Sequence, residues 1–364
     1  MTSGLGSHVD DRPPSRGRLV SERRAGRLAP ELLTIGVDIG GTKIAAGVVT
    51  VDGTVLDTAR RDTPDLSGSP AVVEAAILDA VSELTRRHRV HAVGIAAAGF
   101  VDADRRVVLF APHLSWRNEP LRDALFRRLR LPVVVENDAN ASAWGEHRFG
   151  AGRGEPQLLV VNLGTGIGGA YVTGGAVQRG RFGIAGEFGH MQVVSGGHRC
   201  ECGNRGCWEQ YASGNALVRE ARALAASGSP MAHALLERAE GDPARITGPL
   251  VTALAGEGDV ACRELFQEVG EWLGVGIANL VAAYDPGRVV IGGGVSEAGS
   301  LLLDPALQAF RRNLTGRGYR PEAELVLAAL GNRAGLVGAA DLARPFARRL
   351  WRARYRREQA RKNA

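Results

Sequence analysis

Lysine is almost absent: of 45 basic residues only Lys43 and Lys362 are lysines, and the rest are arginine. Aromatic residues are scarce at 5%, and there are three methionines and four cysteines. Three of those cysteines fall within Cys200–Cys207, which is not the dispersed pattern of a secreted disulfide framework, so a reducing, cytoplasmic address is expected. Long apolar runs are missing too. The one uncharged stretch of membrane length, Gln157–Gln178, contains six glycines with Asn162, Thr165 and Thr173, and reads as strand, turn, strand rather than as a membrane span. The N-terminal stretch Met1–Gly26 has no apolar core of signal-peptide type, and its acids and prolines argue against a transit peptide. Residues 1–32 read as a flexible arm.

What is present in excess is glycine. Forty-nine glycines in 364 residues are about twice the usual ~7%, with 16 prolines and no collagen-like period. Charge is nearly balanced, 45 basic against 39 acidic, and its surplus is local. From Arg344 to Ala364 there are nine basic residues against Glu358 alone, a net +8, which leaves −2 for the remainder of a chain whose total is +6. The basic balance therefore belongs to a tail, and specific nucleic-acid binding by the body is not expected.

A chain of 364 residues has room for two or three domains. After the arm, β-branched runs broken by Gly40-Gly41-Thr42 and by Asp52-Gly53 predict three antiparallel strands. Helices are expected at about 70–88, 119–130 and 138–147, with strands between them. At Gln157 the same pattern begins again, strand, Gly/Thr turn, strand, followed by helices at about 213–227 and 259–284, a strand at 288–294, a helix at 299–313, another strand, and a final helix from about Gly335. Two halves that open alike imply a duplicated α/β fold with a cleft between lobes, the usual place for a ligand. The expected units are a small lobe 33–138, a large lobe 139–334, a helix 335–350 returning to the small lobe, and a basic tail 351–364.

Three glycine turns fall in order along this plan. Asp38, Gly40, Gly41, Thr42 and Lys43 form a hairpin turn whose backbone N–H groups can close around an anion, while Asp38 suits a hydrated Mg²⁺ and Lys43 supplies a point charge. Gly164, Thr165, Gly166 and Gly168 supply an equivalent turn in the second half, and Gly292, Gly293 and Gly294 follow a buried strand where a base or ribose can approach the backbone. A Gly-rich hairpin is often only a tight turn, and neither Walker A nor Rossmann spacing is present. Further glycine clusters at 174–175 and 203–206 are assigned to the same ligand-gripping role. His190, Cys200, Cys202 and Cys207 make a Cys₃His set suited to tetrahedral Zn²⁺, structural because all four positions are filled by protein. His198, two positions before Cys200, is a competing imidazole, free thiols or a Cys200–Cys207 disulfide are the alternatives to a metal, and Cys262 is expected to be buried and inert.

Asp38-Ile-Gly-Gly-Thr-Lys43, Glu136-Asn137-Asp138 and Cys200-x-Cys202-Gly-x-x-Gly-Cys207-x-Glu209 together resemble the ROK family of sugar kinases and repressors, over roughly 33–345. The stretches VVVENDANASAWGE, RGRFGIAGEFGH and GCWEQYASG are most similar to its glucose kinases from high-GC Gram-positive bacteria. The resemblance implies an actin-like (ribonuclease H-like) two-lobed ATPase fold, phosphorylation of a sugar 6-hydroxyl with glucose and ATP as partners, and a dimer or tetramer. It implies Asp138 as catalytic base, Asn137, Glu187, Glu209 and His190 as sugar contacts with His190 also holding zinc, phosphates at 38–43 and 164–168, and adenosine at 292–294. Where many relatives have Pro-Gly, this chain has Ala97-Ala98-Gly99, which bears on the sugar contact expected at Gly99. Asp138 also suits a helix N-cap, a role compatible with catalysis. Other hexoses or N-acylhexosamines, and polyphosphate as donor, are alternatives within the enzyme class. A sugar-responsive repressor would need a helix-turn-helix ahead of Asp38, and the roughly 33 residues there, with Pro13-Pro14 and no helical apolar period, do not predict one.

Overall fold

The computed structural model describes residues 32–64 and 68–362; nearly all of the expected N-terminal arm lies outside them. Leu32, its last residue, is buried with Ala92, Val134, Ala343 and Ala347.

The first lobe runs β1 (Thr34–Ile39), β2 (Lys43–Val49), β3 (Val55–Asp62), α1 (Pro70–Arg87) and β4 (Val93–Ala97). A small antiparallel sheet follows, β5 (Phe100–Val101), β6 (Val108–Phe110) and β7 (Arg117–Glu119), then α2 (Leu121–Leu129), β8 (Val133–Asn137) and α3 (Asp138–Phe149). The second lobe contains β9 (Gln157–Leu163), β10 (Ile167–Thr173), β11 (Ala176–Val177), α4 (Glu209–Ala212), α5 (Gly214–Ala226), α6 (His233–Arg238), α7 (Gly248–Glu257), α8 (Val260–Tyr284), β12 (Arg288–Gly292), α9 (Ser300–Asn313) and β13 (Glu324–Leu327), and the chain ends in α10 (Ala334–Lys362).

The two main sheets have one topology. The first is ordered β3-β2-β1-β4-β8 and the second β11-β10-β9-β12-β13. In each, a three-stranded antiparallel meander is extended on one side by two parallel strands. Parallel strands need both faces covered, and their sequences are accordingly near-continuous apolar runs, as in VGIAA of β4 and the VVIG that follows Arg288 in β12. One core gathers Ile35, Val37, Ile77, Leu84, Trp116 and Leu125 in the first lobe, and another gathers Trp208, Phe266, Leu273, Ile277 and Phe310 in the second.

Helix α10 returns to the first sheet, and here the glycine excess acquires a second cause. A Cβ on Gly36 of β1 would lie 1.8 Å from the Leu336 carbonyl oxygen, and one on Gly94 of β4 would lie 1.8 Å from that of Ala339. Gly338 of α10 meets the Ala141 carbonyl of α3 in the same way, at 1.7 Å. These glycines let helix backbone rest directly on its neighbours, so ligand turns account for only part of the excess. Gly174-Gly175 likewise belongs to the β10–β11 turn, at the opposite end of β10 from the 164–168 turn, and does not share its site. The expected break at residue 350 is also absent: α10 continues to Lys362, because Ala, Arg, Gln and Glu sustain a helix and no Gly or Pro follows Pro345 within it.

Candidate active site

In the first sheet, β1, β4 and β8 are parallel, so their carboxyl ends share one edge. Register places Asp38 opposite Ala96, and Ala97 opposite Asn137. In the second sheet Gly292 pairs with Asn162, so the 164–168 turn and the 292–294 loop also share an edge. Both halves thus present their glycine turns from strand carboxyl ends, where open α/β sheets bind ligands.

The first turn is closed by the Gly40 N–H donating to the Lys43 carbonyl at 3.0 Å, and the Thr63 hydroxyl donates to the Gly40 carbonyl at 2.8 Å. Gly41, Thr42 and Lys43 are exposed at its tip. Burial, reinforced by the nearby Asp138 carboxylate and opposed by Lys43, pushes the Asp38 carboxyl up to about 7. In the second turn the carbonyls of Gly164 and Thr165 accept from the N–H groups of Gly214 and Asn215, which seats the first residues of α5 against it. Gly293 has φ of 83°, and a Cβ there would lie 2.3 Å from the Leu163 carbonyl oxygen, so only glycine fits.

The helix-cap role that the sequence allowed Asp138 belongs in the structure to its neighbour. The N-cap of α3 is Asn137, whose Oδ1 accepts from the Asn140 N–H at 2.9 Å. Asp138 is the first residue inside the helix, and its Oδ1 accepts from the Ala139 N–H at 2.9 Å and from Asn137 Nδ2 at 3.0 Å. Its Oδ2 accepts no hydrogen bond from the described residues. Burial raises the Asp138 pKa against the effect of those donors. Asn137 Nδ2 also donates to the Gly99 carbonyl at 3.1 Å. Gly99, at φ 147°, leaves no room for a Cβ, which would stand 2.3 Å from the Phe110 carbonyl oxygen. Gly99 therefore orients Asn137 through its backbone.

Glu187, His190 and Glu209 converge beside Asp138. Burial, with Asp138 and Glu209 nearby, raises the Glu187 pKa, while His190 opposes the rise. His190 Nε2 lies 3.9 Å from Glu187, and its Nδ1 lies 3.4 Å from Glu209 and 3.7 Å from Cys200 Sγ. One ring nitrogen thus faces the carboxylate pocket and the other faces the thiols. Donor atoms of His190, Cys200, Cys202 and Cys207 all lie within 4.8 Å of one another. Three sulfurs and one imidazole at that separation fit tetrahedral Zn²⁺. The competing imidazole, His198, instead packs on the Tyr211 ring at 5.1 Å. Trp208, fully buried, donates to the Trp272 carbonyl at 2.8 Å and anchors the cysteine loop on α8. Cys262 is buried on α8 with its thiol pushed up to about 12 by that burial, which keeps it protonated and inert.

Glu209 joins the two regions. Its Oε1 accepts from Cys200 Sγ at 3.1 Å, and a Cβ on Gly166 would lie 2.3 Å from its Oε2. The 164–168 turn and the cysteine loop therefore touch through one carboxylate. Two further residues were not singled out from the sequence. His113 lies against Gly41, at 3.6 Å from a Cβ built there. Arg179 pairs with Glu136 across the lobes. Nothing in the sequence marks His113, but Arg179 is the first charge after the uncharged run Gln157–Gln178, and its partner Glu136 is the one charge in the buried strand VVVEN.

The sequence model of the ROK family matches residues 34–345. The chain belongs to the ROK family. Among ROK relatives, a glucokinase of Streptomyces coelicolor is 48% identical over 312 residues, 86% of this chain and 98% of that protein. The crystal structure of a ROK-family glucokinase from Streptomyces griseus in complex with glucose and AMPPNP shares 51% identity at a TM-score of 0.80, covering 86% of this chain and 99% of its own. A ROK hexokinase from Thermus thermophilus superposes at a TM-score of 0.71 with 36% identity, over 87% and 99% of the respective chains. The expected ROK fold, a two-lobed, actin-like ATPase architecture, is the one observed. Among the described residues, no helix is long and apolar enough to cross a membrane.

Proposed function

We propose that this ROK protein is a glucokinase that transfers the γ-phosphoryl group of ATP to the 6-hydroxyl of glucose, with Asp138 as general base. The observation that carries the assignment of the base is the division of labour at α3. Asn137 caps the helix, one oxygen of Asp138 is fixed by two N–H donors, and the other is left uncommitted among carboxylates suited to sugar hydroxyls.

A primary alcohol attacks poorly until its proton is taken. Asp138 Oδ2 accepts that proton as the oxygen bonds to phosphorus and the bond to ADP breaks, an effect typically worth about 10²–10⁴ in rate. Asn137, Glu187 and Glu209 receive or donate hydrogen bonds to the ring hydroxyls, and a site that pairs each hydroxyl rejects analogues lacking one. The 38–43 and 164–168 turns hold the phosphates with backbone N–H groups and Lys43, and the 292–294 loop receives the adenosine. Asp38 would hold Mg²⁺, which neutralises charge on the transferred group. His190, Cys200, Cys202 and Cys207 would hold Zn²⁺, a structural ion that would fix the His190 ring with Nε2 toward the sugar pocket.

A coupled assay crossing glucose, mannose, fructose and N-acetylmannosamine with ATP and polyphosphate tests this reading. The highest kcat/KM is expected for glucose with Mg-ATP. No phosphorylation of glucose by either donor would overturn it.

A further inference from the structure

The segment that carries Glu187 starts in the second lobe, at the end of β11, and is fastened to the first lobe at two points. At its start, Arg179 Nε and Nη2 donate to Oε2 of Glu136 at 2.8 and 2.5 Å, while Nη1 donates to the carbonyl of Val177, the last residue of β11, at 3.2 Å. Four residues on, Gly183, at φ 92°, lies against the β5–β6 turn so closely that a Cβ would be 2.3 Å from the Val101 carbonyl oxygen. Between these points Phe182 stands 70% exposed.

Glu136 is only 2% exposed, yet all of its charge is answered. Oε1 accepts from Asn140 Nδ2 at 3.1 Å and from the Asn137 N–H at 3.2 Å, both in the first turn of α3. Oε2 takes the side-on guanidinium. One carboxylate therefore binds the turn that presents Asn137 and Asp138 to the strand end from which the Glu187 segment begins. Two N–H groups of the planar guanidinium converge on the oxygen that Asn137 and Asn140 leave free while a third reaches the Val177 carbonyl, a fixed arrangement that a lysine ammonium does not reproduce. A buried ion pair adds little net stability over an apolar pair of equal volume, so its presence here calls for a role in geometry.

We propose that Glu136–Arg179 is an interlobe latch that sets the base-bearing turn of α3 and the sugar-binding Glu187 segment in one frame. It rests on the glucokinase reading, and neither residue is assigned a contact with the sugar or the nucleotide: both are positioning residues. Misplacement of reacting groups by about 1 Å costs up to ~100-fold, so unlatching lowers kcat and weakens glucose binding while leaving the ATP turns, which lie on other strand ends, untouched.

The test uses the full chain and two variants. Arg179→Met strands a buried carboxylate and lowers both Tm and kcat. The double variant Glu136→Gln/Arg179→Met removes the stranded charge and recovers Tm. A latch predicts that the double variant still has kcat about 10- to 100-fold below wild type with a raised glucose KM and an unchanged ATP KM. It also predicts faster chymotryptic cleavage after Phe182 in both variants, a readout independent of activity. Recovery of kcat together with Tm in the double variant would reduce the pair to a stability contact and overturn the proposal, as would unchanged cleavage at Phe182. A wild-type chain that fails to phosphorylate glucose overturns the kinase reading instead, and the cleavage rates still decide the latch.

Discussion

Replacing Asp138 by Asn separates catalysis from everything else this residue does. The side chains are nearly isosteric, and the amide oxygen can keep the N–H bond from Ala139 that Oδ1 now accepts at 2.9 Å. Asn137 remains the helix cap, so α3 keeps its N-terminus. What disappears is a group able to take a proton, and kcat is expected to fall by about 10²–10⁴, or roughly 2.7–5.4 kcal/mol of transition-state stabilisation at 1.36 kcal/mol per decade. Stability should move the other way. Burial raises the Asp138 pKa above its unfolded value, so the folded state holds the proton more tightly and wild type loses stability as pH rises from the unfolded to the folded pKa. The variant has no such loss. Its Tm should equal that of wild type in acid, below the unfolded carboxylate pKa, exceed it as pH rises through that window, and stay above it by a constant margin beyond. Steady-state kinetics, glucose and nucleotide titration calorimetry, and Tm against pH together measure these outcomes. A kcat near wild type, or a variant that is folded but does not bind glucose, would refute the assignment of Asp138 as base.

Three further expectations follow from the geometry. Cys202→Ser should lose bound zinc, measured by elemental analysis of the purified protein, and raise the glucose KM through the freed His190 ring; full zinc occupancy in the variant counts against the Cys₃His site. Gly99→Ala should be destabilised and impaired in glucose binding, because its Cβ would collide with the Phe110 carbonyl at 2.3 Å and displace the carbonyl that holds Asn137; wild-type glucose affinity by calorimetry is the contrary result. Glu146 is buried and accepts from the N–H groups of Ala151, Ala329 and Leu330, at both chain crossings between the lobes. Glu146→Ala should lower unfolding free energy by about 1.5–4.5 kcal/mol, at roughly 0.5–1.5 kcal/mol net for each of the three hydrogen bonds lost, and a urea midpoint unchanged from wild type would contradict this.

The parts legible in the sequence were those whose chemistry is local. His190, Cys200, Cys202 and Cys207 span a short segment, with glycines placed to fold it, so residue type and spacing sufficed to show that their donor atoms would converge. The duplicated strand, turn, strand pattern was visible because a period of two in apolar residues and a Gly/Thr break need no partner to be seen. Asp138 was visible as a candidate but not separable from a cap, since adjacent Asn137 and Asp138 both suit that position and only the backbone of α3 chooses between them. Glu136 and Arg179 are 43 residues apart and lie in different lobes, and nothing in either neighbourhood names the other.

Lysine scarcity, the basic C-terminus and the glycine excess were sequence facts, and the structure weighed them unequally. The sequence alone determined that the chain carries glycine turns, a thiol-rich Cys₃His loop and an α/β repeat, because each is written in consecutive residues. Only the tertiary structure decided that Gly36, Gly94 and Gly338 serve the seating of α10 rather than a ligand. These backbone contacts join residues some 200 to 300 positions apart, and their demand for a missing Cβ exists only once the backbones have met. The same holds for the uncommitted oxygen of Asp138 and for the interlobe pair at Glu136, whose chemistry is fixed by burial and by donors that the fold brings from elsewhere in the chain.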